Sequence, residues 1–287
     1  MILKRLFTAV ILLVSFFCLE RFCHHHTDGF AMVNVYAPKG DNAKWHREGS
    51  LPEGIENQTF TYFNSGSQSY VFVSEDGQLV LKLFKFQHMR APPILDFIKG
   101  FAPLDEKRAK KRNVLEKTFN SLCIGYDKLK EETGLVFLHL AKTDHLHKKI
   151  VIIDKIGKKH LLDLDRVEFL IQKKGTLAYS ALNEWMEKGQ VQQAKEAIAS
   201  LLHLSIHRCK MGIFDKDPDF STNFGFIDTA PFQMDFGRLS LSEEEKDIET
   251  YAPEMIRITR ELEKWIRENH PELFEPFQRI LDEITKV

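Results

Sequence analysis

The stretch from Gly212 to Gly237 constrains the fold of this chain more than any other part of the sequence. In order it holds three aspartates, an asparagine, a short apolar strand and an Asp-Phe-Gly triplet: Asp215, Asp217, Asp219, Asn223, Phe232 to Met234 and Asp235-Phe236-Gly237. Carboxylate and amide oxygens are the ligands that Mg²⁺ prefers, and a carboxylate can also accept a proton from a reacting hydroxyl. The pattern is therefore typical of a catalytic loop that a strand joins to a metal-binding loop.

Composition sets broad limits on the remainder of the molecule. The chain has 287 residues, of which 43% are hydrophobic, and this length and hydrophobic content are enough to build one large domain or two lobes. Its formal net charge is −1. This near-neutral charge gives no electrostatic footprint for nucleic acid. A local basic cluster over 107–112 is interpreted first as a solvated helix face and second as a docking patch for an anionic substrate or a membrane. The four cysteines are widely spread and do not fix the redox compartment.

The N-terminus indicates export or membrane anchoring. Lys4 and Arg5 precede an apolar run over 6–19, the length of a signal-peptide core or a short signal anchor. Neither a small-residue cleavage site nor a lipoprotein signal is evident, so cleaved and uncleaved forms both stay open. We expect residues 1–26 to form this segment and residues 27–56 to form a linker. The histidines at 24–26 are interpreted as exposed linker residues rather than a metal site.

From residue 57 onward the sequence predicts an α+β domain. The first half contains β-rich runs, one long helix and turn signals, and the second half is mainly helical. Strands are predicted over 60–63, 70–73, 79–84, 135–140, 150–153 and 167–171, and helices over 105–132, 191–209 and 242–287, the last broken by Pro271 and Pro276.

Two features of the first half suit phosphate binding. Lys82 ends a Val-Leu-Lys run on the third predicted strand, where its ammonium group could reach nucleotide phosphates; the alternative is an exposed strand lysine. The polar turn before it, 64–69, is placed to cover phosphates through backbone N–H groups of Gly66, Ser67 and Ser69.

Across residues 59–237 these motifs resemble the protein kinase-like superfamily. The resemblance implies a bilobal fold with a β-rich N-lobe, about 57–171, and a short, mostly helical C-lobe, about 172–287. It implies ATP and Mg²⁺ as cofactors, Lys82 as the phosphate-binding lysine, Asp217 as the base, and Asn223 and Asp235 as metal ligands.

The sequence also departs from the family pattern. Asp215 and Lys216 replace the His and Arg of the family's H-R-D triplet, and Asn223 lies six residues after Asp217 where the family has five. Asp219 and Asp215 therefore stay open as alternative bases.

Further positions follow from the same resemblance. Glu116 is expected to pair with Lys82, the alternative being a surface glutamate on a charged helix. The segment 172–174, through Gln172 and Lys174, is expected to be the inter-lobe hinge that contacts adenine. The Tyr-Ala-Pro-Glu run at 251–254 is interpreted as an ordinary helix start. About fifty residues follow the Asp-Phe-Gly triplet, as in small bacterial kinase-like proteins, including lipopolysaccharide-sugar kinases and secreted effector kinases.

Three functions are compatible with these features. The first is an ATP- and Mg²⁺-dependent kinase that acts on a protein or sugar hydroxyl, and the second is a pseudokinase that serves as a nucleotide-binding or protein-interaction scaffold. The third is a membrane-anchored structural protein. Nucleic acid is not an expected partner, and an active exported kinase would have to work inside a host cell or face the cytoplasm.

Overall fold

The computed structural model describes residues 2–37, 42–90 and 102–286. The chain has an α+β fold in which a large sheet occupies one lobe and helices occupy the other. The helices are α1 Ile2–Thr27, α2 Phe86–Met89, α3 Ala102–Lys128, α4 Ala178–Glu187, α5 Val191–Lys210, α6 Ile248–Asn269 and α7 Phe274–Thr285. The strands are β1 Thr59–Ser65, β2 Ser69–Ser74, β3 Leu79–Phe84, β4 Leu135–His139, β5 Lys149–Ile153, β6 Lys159–Asp163, β7 Phe169–Lys173, β8 Thr176–Leu177, β9 Ile213–Asp215, β10 Phe224–Ile227, β11 Ala230–Gln233 and β12 Leu239–Leu241.

Within the described ranges, seven strands of the first lobe form one sheet in the order β4-β7-β3-β2-β1-β5-β6. The pairs are antiparallel except for β1 and β5, which run parallel with Phe60 opposite Ile152. The alternation in β2 and β3 gives the sheet two distinct faces. Leu81 and Leu83 point to an outer face, whereas Lys82, opposite Leu170 on β7, points to the inner face that α3 partly covers.

The outer face of the sheet is covered by the segment between α1 and β1. Phe30, Val35 and Ile55 are buried there and pack with sheet residues such as Phe60 and Phe72. Packing of the first lobe therefore begins well before the boundary expected at residue 57. The segment predicted as a linker over 27–56 instead supplies part of the core, because its apolar side chains complete a sheet face that would otherwise be exposed.

The helical lobe packs α4, α5, α6 and α7 around an apolar core that also receives Phe220, Phe224 and Phe226 from the acidic loop and β10. The predicted break at Pro271 is present, between α6 and α7. Pro276 does not break a helix, since it lies in the first turn of α7, where its missing N–H leaves no hydrogen bond unmade. Pro253 lies inside α6, as its sixth residue, and the acidic residue of the first turn is Glu249, so the 251–254 run does not start the helix as expected.

Two short strand pairs carry the acidic loop. β9 pairs with β12, so that Asp215 lies opposite Leu239, and β10 pairs with β11, so that Phe224 lies opposite Gln233. The loop 216–223 and the loop 234–238 both emerge between these pairs. The antiparallel registers therefore bring the two loops side by side, although the first begins almost twenty residues before the second.

Helix α1 is one continuous helix whose apolar side chains are exposed. Residues Leu6–Thr27 are long and apolar enough to cross a membrane, with a mean hydropathy of 2.0 over the best window. The helix thus continues past the apolar run expected at 6–19, through a polar end over 20–27 that includes Glu20, Arg21 and three histidines. By length and composition the helix suits either a membrane anchor or a signal sequence.

Candidate active site

The two loops and the polar turn before β2 form one cleft between the lobes. Its acidic end is lined by the following side chains and turns: Ser67, Gln68, Asp215, Asp217, Asn223, Asp235, Gly237 and Arg238. A second small cavity next to it is lined by Gly66, Ser67, Gln68 and Ser69 together with Lys82, Asp235 and residues of α3. The structure thus brings Asp217, Asn223, Asp235, Lys82 and the polar turn together.

The three aspartates of the acidic loop have different surroundings. Asp215 is buried: its Oδ1 accepts a hydrogen bond from the backbone N–H of Asp217 at 2.9 Å and its Oδ2 accepts one from Gln233 at 2.6 Å. Burial raises the pKa of this carboxyl, while Arg208 and the two hydrogen bonds oppose the rise. The Asp215 carboxylate thus stabilises the backbone of the loop and is too buried for an acceptor hydroxyl to reach.

Asp219 is also occupied by its own loop. Its Oδ1 accepts hydrogen bonds from both the backbone N–H and the hydroxyl of Ser221, each at 2.7 Å, and these bonds form an Asx-turn. Asp217 is exposed, lies on the cleft and makes a salt bridge of 3.4 Å to Arg238. Of the three carboxylates, Asp217 is the one positioned to approach a ligand in the cleft.

Asn223 and Asp235 have the donor chemistry of a magnesium site. The amide nitrogen of Asn223 donates to the backbone carbonyl of Asp217 at 2.7 Å, which fixes the orientation of the side chain. Its oxygen accepts a hydrogen bond of 3.1 Å from the Thr222 hydroxyl and has a second lone pair for a metal. In the described parts of the chain no group of three or more His, Cys, Asp or Glu residues could hold a metal alone. Mg²⁺ commonly takes one or two protein oxygens and fills its shell with phosphates and water, so this pair fits such an ion together with a nucleotide.

The Asp235 loop is fixed from the helix side. The ring of Phe236 is buried and lies so close to Gly125 of α3 that a Cβ there would come within 2.6 Å of it. Ser121 of the same helix donates to the carbonyl of Phe236 and accepts from the N–H of Leu239, both at 2.5 Å. α3 therefore holds the backbone on each side of Gly237, which positions the Asp235 carboxylate.

Lys82 reaches the same point from the sheet. Its ammonium group donates a hydrogen bond of 2.5 Å to the backbone carbonyl of Met234, the residue directly before Asp235. Burial lowers the pKa of Lys82, and the negative charge of Asp235 partly offsets this effect. The lysine is thus an inward-facing group of the cleft rather than an exposed strand lysine.

Glu116 does not contact Lys82. Its carboxylate lies 3.5 Å from the ammonium group of Lys44 and 3.6 Å from the guanidinium of Arg112, on the exposed side of α3. The expected ion pair between Glu116 and Lys82 is therefore absent from this conformation, because Glu116 points toward cations on its own side of the helix.

The polar turn before β2 is closed over the cleft. Lys85, which is buried, donates to Ser65 Oγ and to the carbonyl of Gly66, the latter at 2.7 Å. The side chain of Gln68 lies against Gly237, where a Cβ would be only 2.7 Å from its oxygen. The two cavities measure about 20 and 30 Å³, far below the several hundred Å³ of a ligand pocket. A nucleotide that occupies these two cavities therefore requires Gln68 and the turn to move away from Gly237.

Two polar groups of the expected hinge, at 172–174, already make hydrogen bonds within the protein. The side chain of Gln172 is buried and donates to the carbonyl of Thr133 at 2.6 Å, and the backbone N–H of Lys174 donates to the carbonyl of Gln78 at 2.8 Å. At the next residue, Gly175, a Cβ would lie 2.3 Å from the ring of Phe232. The Gln172 side chain and the Lys174 N–H are thus committed within the protein, and contact with adenine through them requires rearrangement.

Gln233 connects the two loops of the cleft, and no sequence motif identifies it. Its amide nitrogen donates to Asp215 Oδ2 at 2.6 Å and to the backbone carbonyl of Asp235 at 3.0 Å. Asp215 in turn accepts from the N–H of Asp217. One buried amide therefore links the loop that carries Asp217 to the loop that carries Asp235. Its only sequence signal is a polar residue at the buried end of an apolar strand.

We expect Gln233→Leu to destabilise the protein by about 1–3 kcal/mol, because it leaves the buried Asp215 carboxylate without its amide donor. The measurement is the free energy of unfolding in urea, with Gln192→Leu as a control, since Gln192 makes only an exposed contact with Glu196. In an Asp215→Asn background the cost of Gln233→Leu should shrink, because no ionised group is left unpaired. An equal loss of unfolding free energy in both backgrounds would show that Gln233 does not stabilise the protein through Asp215.

Fold and site together define a bilobal α+β protein with an acidic cleft between a sheet lobe and a helical lobe. No protein-family model matches the sequence, and no curated protein matches it. Among solved structures, the bifunctional kinase-methyltransferase WbdD is similar at 13% identity and a TM-score of 0.37, over 77% of this chain and 43% of WbdD. A second structure of WbdD, at 2.2 Å, gives 13% identity and the same TM-score over 76% and 45% of the two chains.

A third structure, the complex of Rv3197 with erythromycin from Mycobacterium tuberculosis, is similar at 15% identity and a TM-score of 0.33, over 87% of this chain and 72% of Rv3197. The chain thus spans less than half the length of WbdD. At these scores the similarities carry no argument about function. What the chain does has to be argued from its own cleft.

Proposed function

We propose that this protein is an ATP- and Mg²⁺-dependent phosphotransferase that acts on an alcohol group of a protein or sugar. The observation that carries the proposal is the convergence of Lys82, Asp217, Asn223 and Asp235 on one cleft from separate strands and loops. Phosphoryl transfer needs held phosphates, neutralised charge and an aligned hydroxyl, and it needs little covalent help from the protein.

Each side chain has a role that its surroundings support. Asn223 and Asp235 would hold the metal ion, which supplies charge neutralisation at the phosphates when bound. Lys82 would exchange its contact with the Met234 carbonyl for a phosphate oxygen. The N–H groups of Ser67 and Ser69 and the flexible Gly66 would cover the phosphates, and Asp217 would orient the acceptor hydroxyl and take up its proton.

Space for an acceptor lies next to Asp217. A groove of about 580 Å³ runs between the loop 216–221 and helix α6, with Asp217 at one end and the stacked rings of Tyr179 and Trp265 along its wall. Unlike the narrow metal end of the cleft, this groove is already wide enough for a side chain or a sugar ring. Its position supports entry of the acceptor from the helical lobe.

The direct test is stabilisation of the purified full-length chain by nucleotide, with and without Mg²⁺. A ligand at 100 times its dissociation constant stabilises the native state by about 2.7 kcal/mol, which corresponds to a rise of about 5–10 °C in melting temperature for a domain of this size. Lys82→Met should lose most of this rise, because the stem is kept while the charge that pairs with phosphate is lost. Lys149→Met, which changes an exposed lysine of β5, is the matched control. A full shift in Lys82→Met would remove Lys82 from the site.

The second candidate, a pseudokinase, is favoured by specific contacts. Lys82 is bound to a backbone carbonyl, Glu116 is paired elsewhere, and Gln68 lies against Gly237. If these contacts persist in solution, the cleft binds nucleotide weakly or without turnover. Stabilisation by Mg·ATP with no autophosphorylation and no ATP hydrolysis would favour the scaffold over the enzyme.

We also propose that α1 anchors the protein in a membrane. The helix runs without interruption to Thr27, and the chain enters the sheet core at Phe30, three residues later. A cleavable signal normally ends in an extended segment with small residues at the cut, and the sequence offers no such segment here.

A further inference from the structure

The basic cluster near the start of α3 has no role in the proposed active site. Between residues 107 and 112 it contains Lys107, Arg108, Lys110, Lys111 and Arg112; we call it the α3 basic patch. Lys107 and Lys111, and likewise Arg108 and Arg112, are four residues apart on one helix face, a spacing at which like charges destabilise a helix. The patch therefore costs helix stability unless an anionic partner offsets the repulsion.

Internal partners account for only part of this charge. Arg108 pairs with Asp105, and Arg112 lies 3.6 Å from Glu116. Lys107 and Lys110 are exposed and have no ion pair within the described residues. Their ammonium groups are thus available to a ligand outside the protein.

The patch lies close to the end of α1, as a short series of contacts shows. The carbonyl of Gly29, just after α1, accepts a hydrogen bond of 2.6 Å from the hydroxyl of Tyr70, which accepts one of 2.8 Å from Gln87. The carbonyl of the next residue, His88, accepts a hydrogen bond of 2.9 Å from the ammonium group of Lys111. Only a few side chains therefore separate the end of the apolar helix from the patch.

The local electrostatics agree with this placement. Burial lowers the pKa of His88, and the nearby Lys111, Lys85 and His24 lower it further. His24 belongs to the last turns of α1, and its ring lies against Gly29. Basic side chains from the end of α1 and from α3 thus lie in one region around His88.

The connection between α1 and the lobe is rigid. Asp28 accepts hydrogen bonds from the hydroxyl of Tyr62 at 2.5 Å and from Lys155 at 2.7 Å, and Phe30 is buried against Tyr70. Arg90 donates to the carbonyl of Val33 at 2.9 Å. Among the described residues no loop separates α1 from the lobe; the polar end of α1, over 20–27, rises about 12 Å, so a bilayer that holds the apolar run lies within about that distance of the contacts at Asp28.

We propose that the α3 basic patch binds the anionic headgroups of the membrane in which α1 is anchored, and so fixes the orientation of the sheet lobe on the bilayer. Juxtamembrane Lys and Arg side chains are attracted to anionic leaflets over a distance of about one Debye length. The proposal rests on α1 as an anchor, and it is independent of phosphotransfer.

The test is lysine acetylation of the full-length chain in phosphatidylcholine vesicles with and without about 30% phosphatidylglycerol, read for each lysine by mass spectrometry. We expect anionic lipid to reduce modification of Lys107 and Lys110 about fivefold, the ratio that corresponds to an attraction of about 1 kcal/mol per cation. About 0.5 M NaCl should restore modification. Lys149 on β5 and Lys264 on α6, both exposed, should react equally in all vesicles.

A charge variant adds a second measurement. In Lys107→Gln/Lys110→Gln the dependence of Lys111 modification on anionic lipid should weaken, whereas Lys149→Gln/Lys264→Gln should keep it. Equal modification of Lys107 and Lys110 in both vesicles, in a chain that alkaline carbonate does not extract, would overturn the proposal. Extraction by carbonate would overturn it by removing the anchor. Protection in neutral vesicles by soluble glycerol 3-phosphate would assign the patch to a free anion instead.

Discussion

Replacing Asp235 with asparagine is expected to abolish the Mg²⁺-dependent stabilisation by ATP and to leave the fold intact. Asp235 is exposed on the cleft, and its side chain makes one contact that an amide can reproduce, the hydrogen bond that Oδ1 accepts from Gly237 N–H at 3.2 Å. The backbone carbonyl bonded to Gln233 is unchanged by the substitution. What asparagine cannot supply is the charge that a carboxylate gives to a metal ion shared with phosphates.

The measurement is the melting temperature of wild type and variant at saturating nucleotide, with Mg²⁺ or with EDTA. The wild type should gain about 5–10 °C only with the metal ion, and Asp235→Asn should gain nothing. Asp228→Asn provides the control. It makes the same chemical change in the turn between β10 and β11, at a backbone φ of 55° that asparagine tolerates well. An undiminished gain in Asp235→Asn would remove Asp235 from the metal site.

Strands β1 to β5 and β7 and the acidic loop can be predicted from local sequence, whereas β6, β8, β9, β10 and β12 are not among the predicted strands. β2 alternates inward and outward residues over Tyr70-Val71-Phe72-Val73, and Gly77 at a positive φ of 72° closes the turn to β3, so pattern and turn chemistry agree. The convergence of the two acidic loops likewise follows from a short strand pair between them. These features are local, and a single sequence contains them.

The features that could not be predicted depend on tertiary packing. Phe30 and Val35 lie in a stretch with no periodicity, and their burial depends on an open sheet face that only the folded lobe creates. The direction of Glu116 depends on Lys44, which lies 72 residues away. Gln233 could have been expected only by noticing that a glutamine at the end of an apolar strand needs a buried partner.

The three candidate bases show how structure narrows a choice that residue spacing leaves open. In the sequence, the extra residue between Asp217 and Asn223 makes Asp215, Asp217 and Asp219 comparable candidates. The structure commits the side chain of Asp215 to Gln233 and the loop backbone, and that of Asp219 to Ser221. The hydrogen bonds that Asp215 and Asp219 make within the loop therefore distinguish them from Asp217, although all three carboxylates have the same chemistry. This difference supports Asp217 as the candidate base.

We expect Asp217→Ala to leave Mg·ATP binding nearly unchanged and to reduce phosphotransfer by about 10²–10⁴-fold. A group that orients the acceptor hydroxyl and takes up its proton acts on the chemical step rather than on nucleotide affinity in the ground state. The substitution also removes the salt bridge to Arg238, but both side chains are about half exposed, so the stability lost should stay below about 1 kcal/mol.

Asp219→Ala is the matched comparison for this prediction. It removes the same carboxylate two residues away, together with the turn contacts to Ser221, and we expect a loss in turnover of less than about tenfold. Autophosphorylation and ATP hydrolysis of the full-length chain report turnover, and nucleotide-induced stabilisation reports binding. The reverse ranking would make Asp219 the base and would mean that the loop changes register when nucleotide binds. Tight Mg·ATP binding without turnover in the wild type would support the pseudokinase scaffold. The cleft would then bind the nucleotide through all of its proposed ligand-binding groups and would fail only in the chemical step.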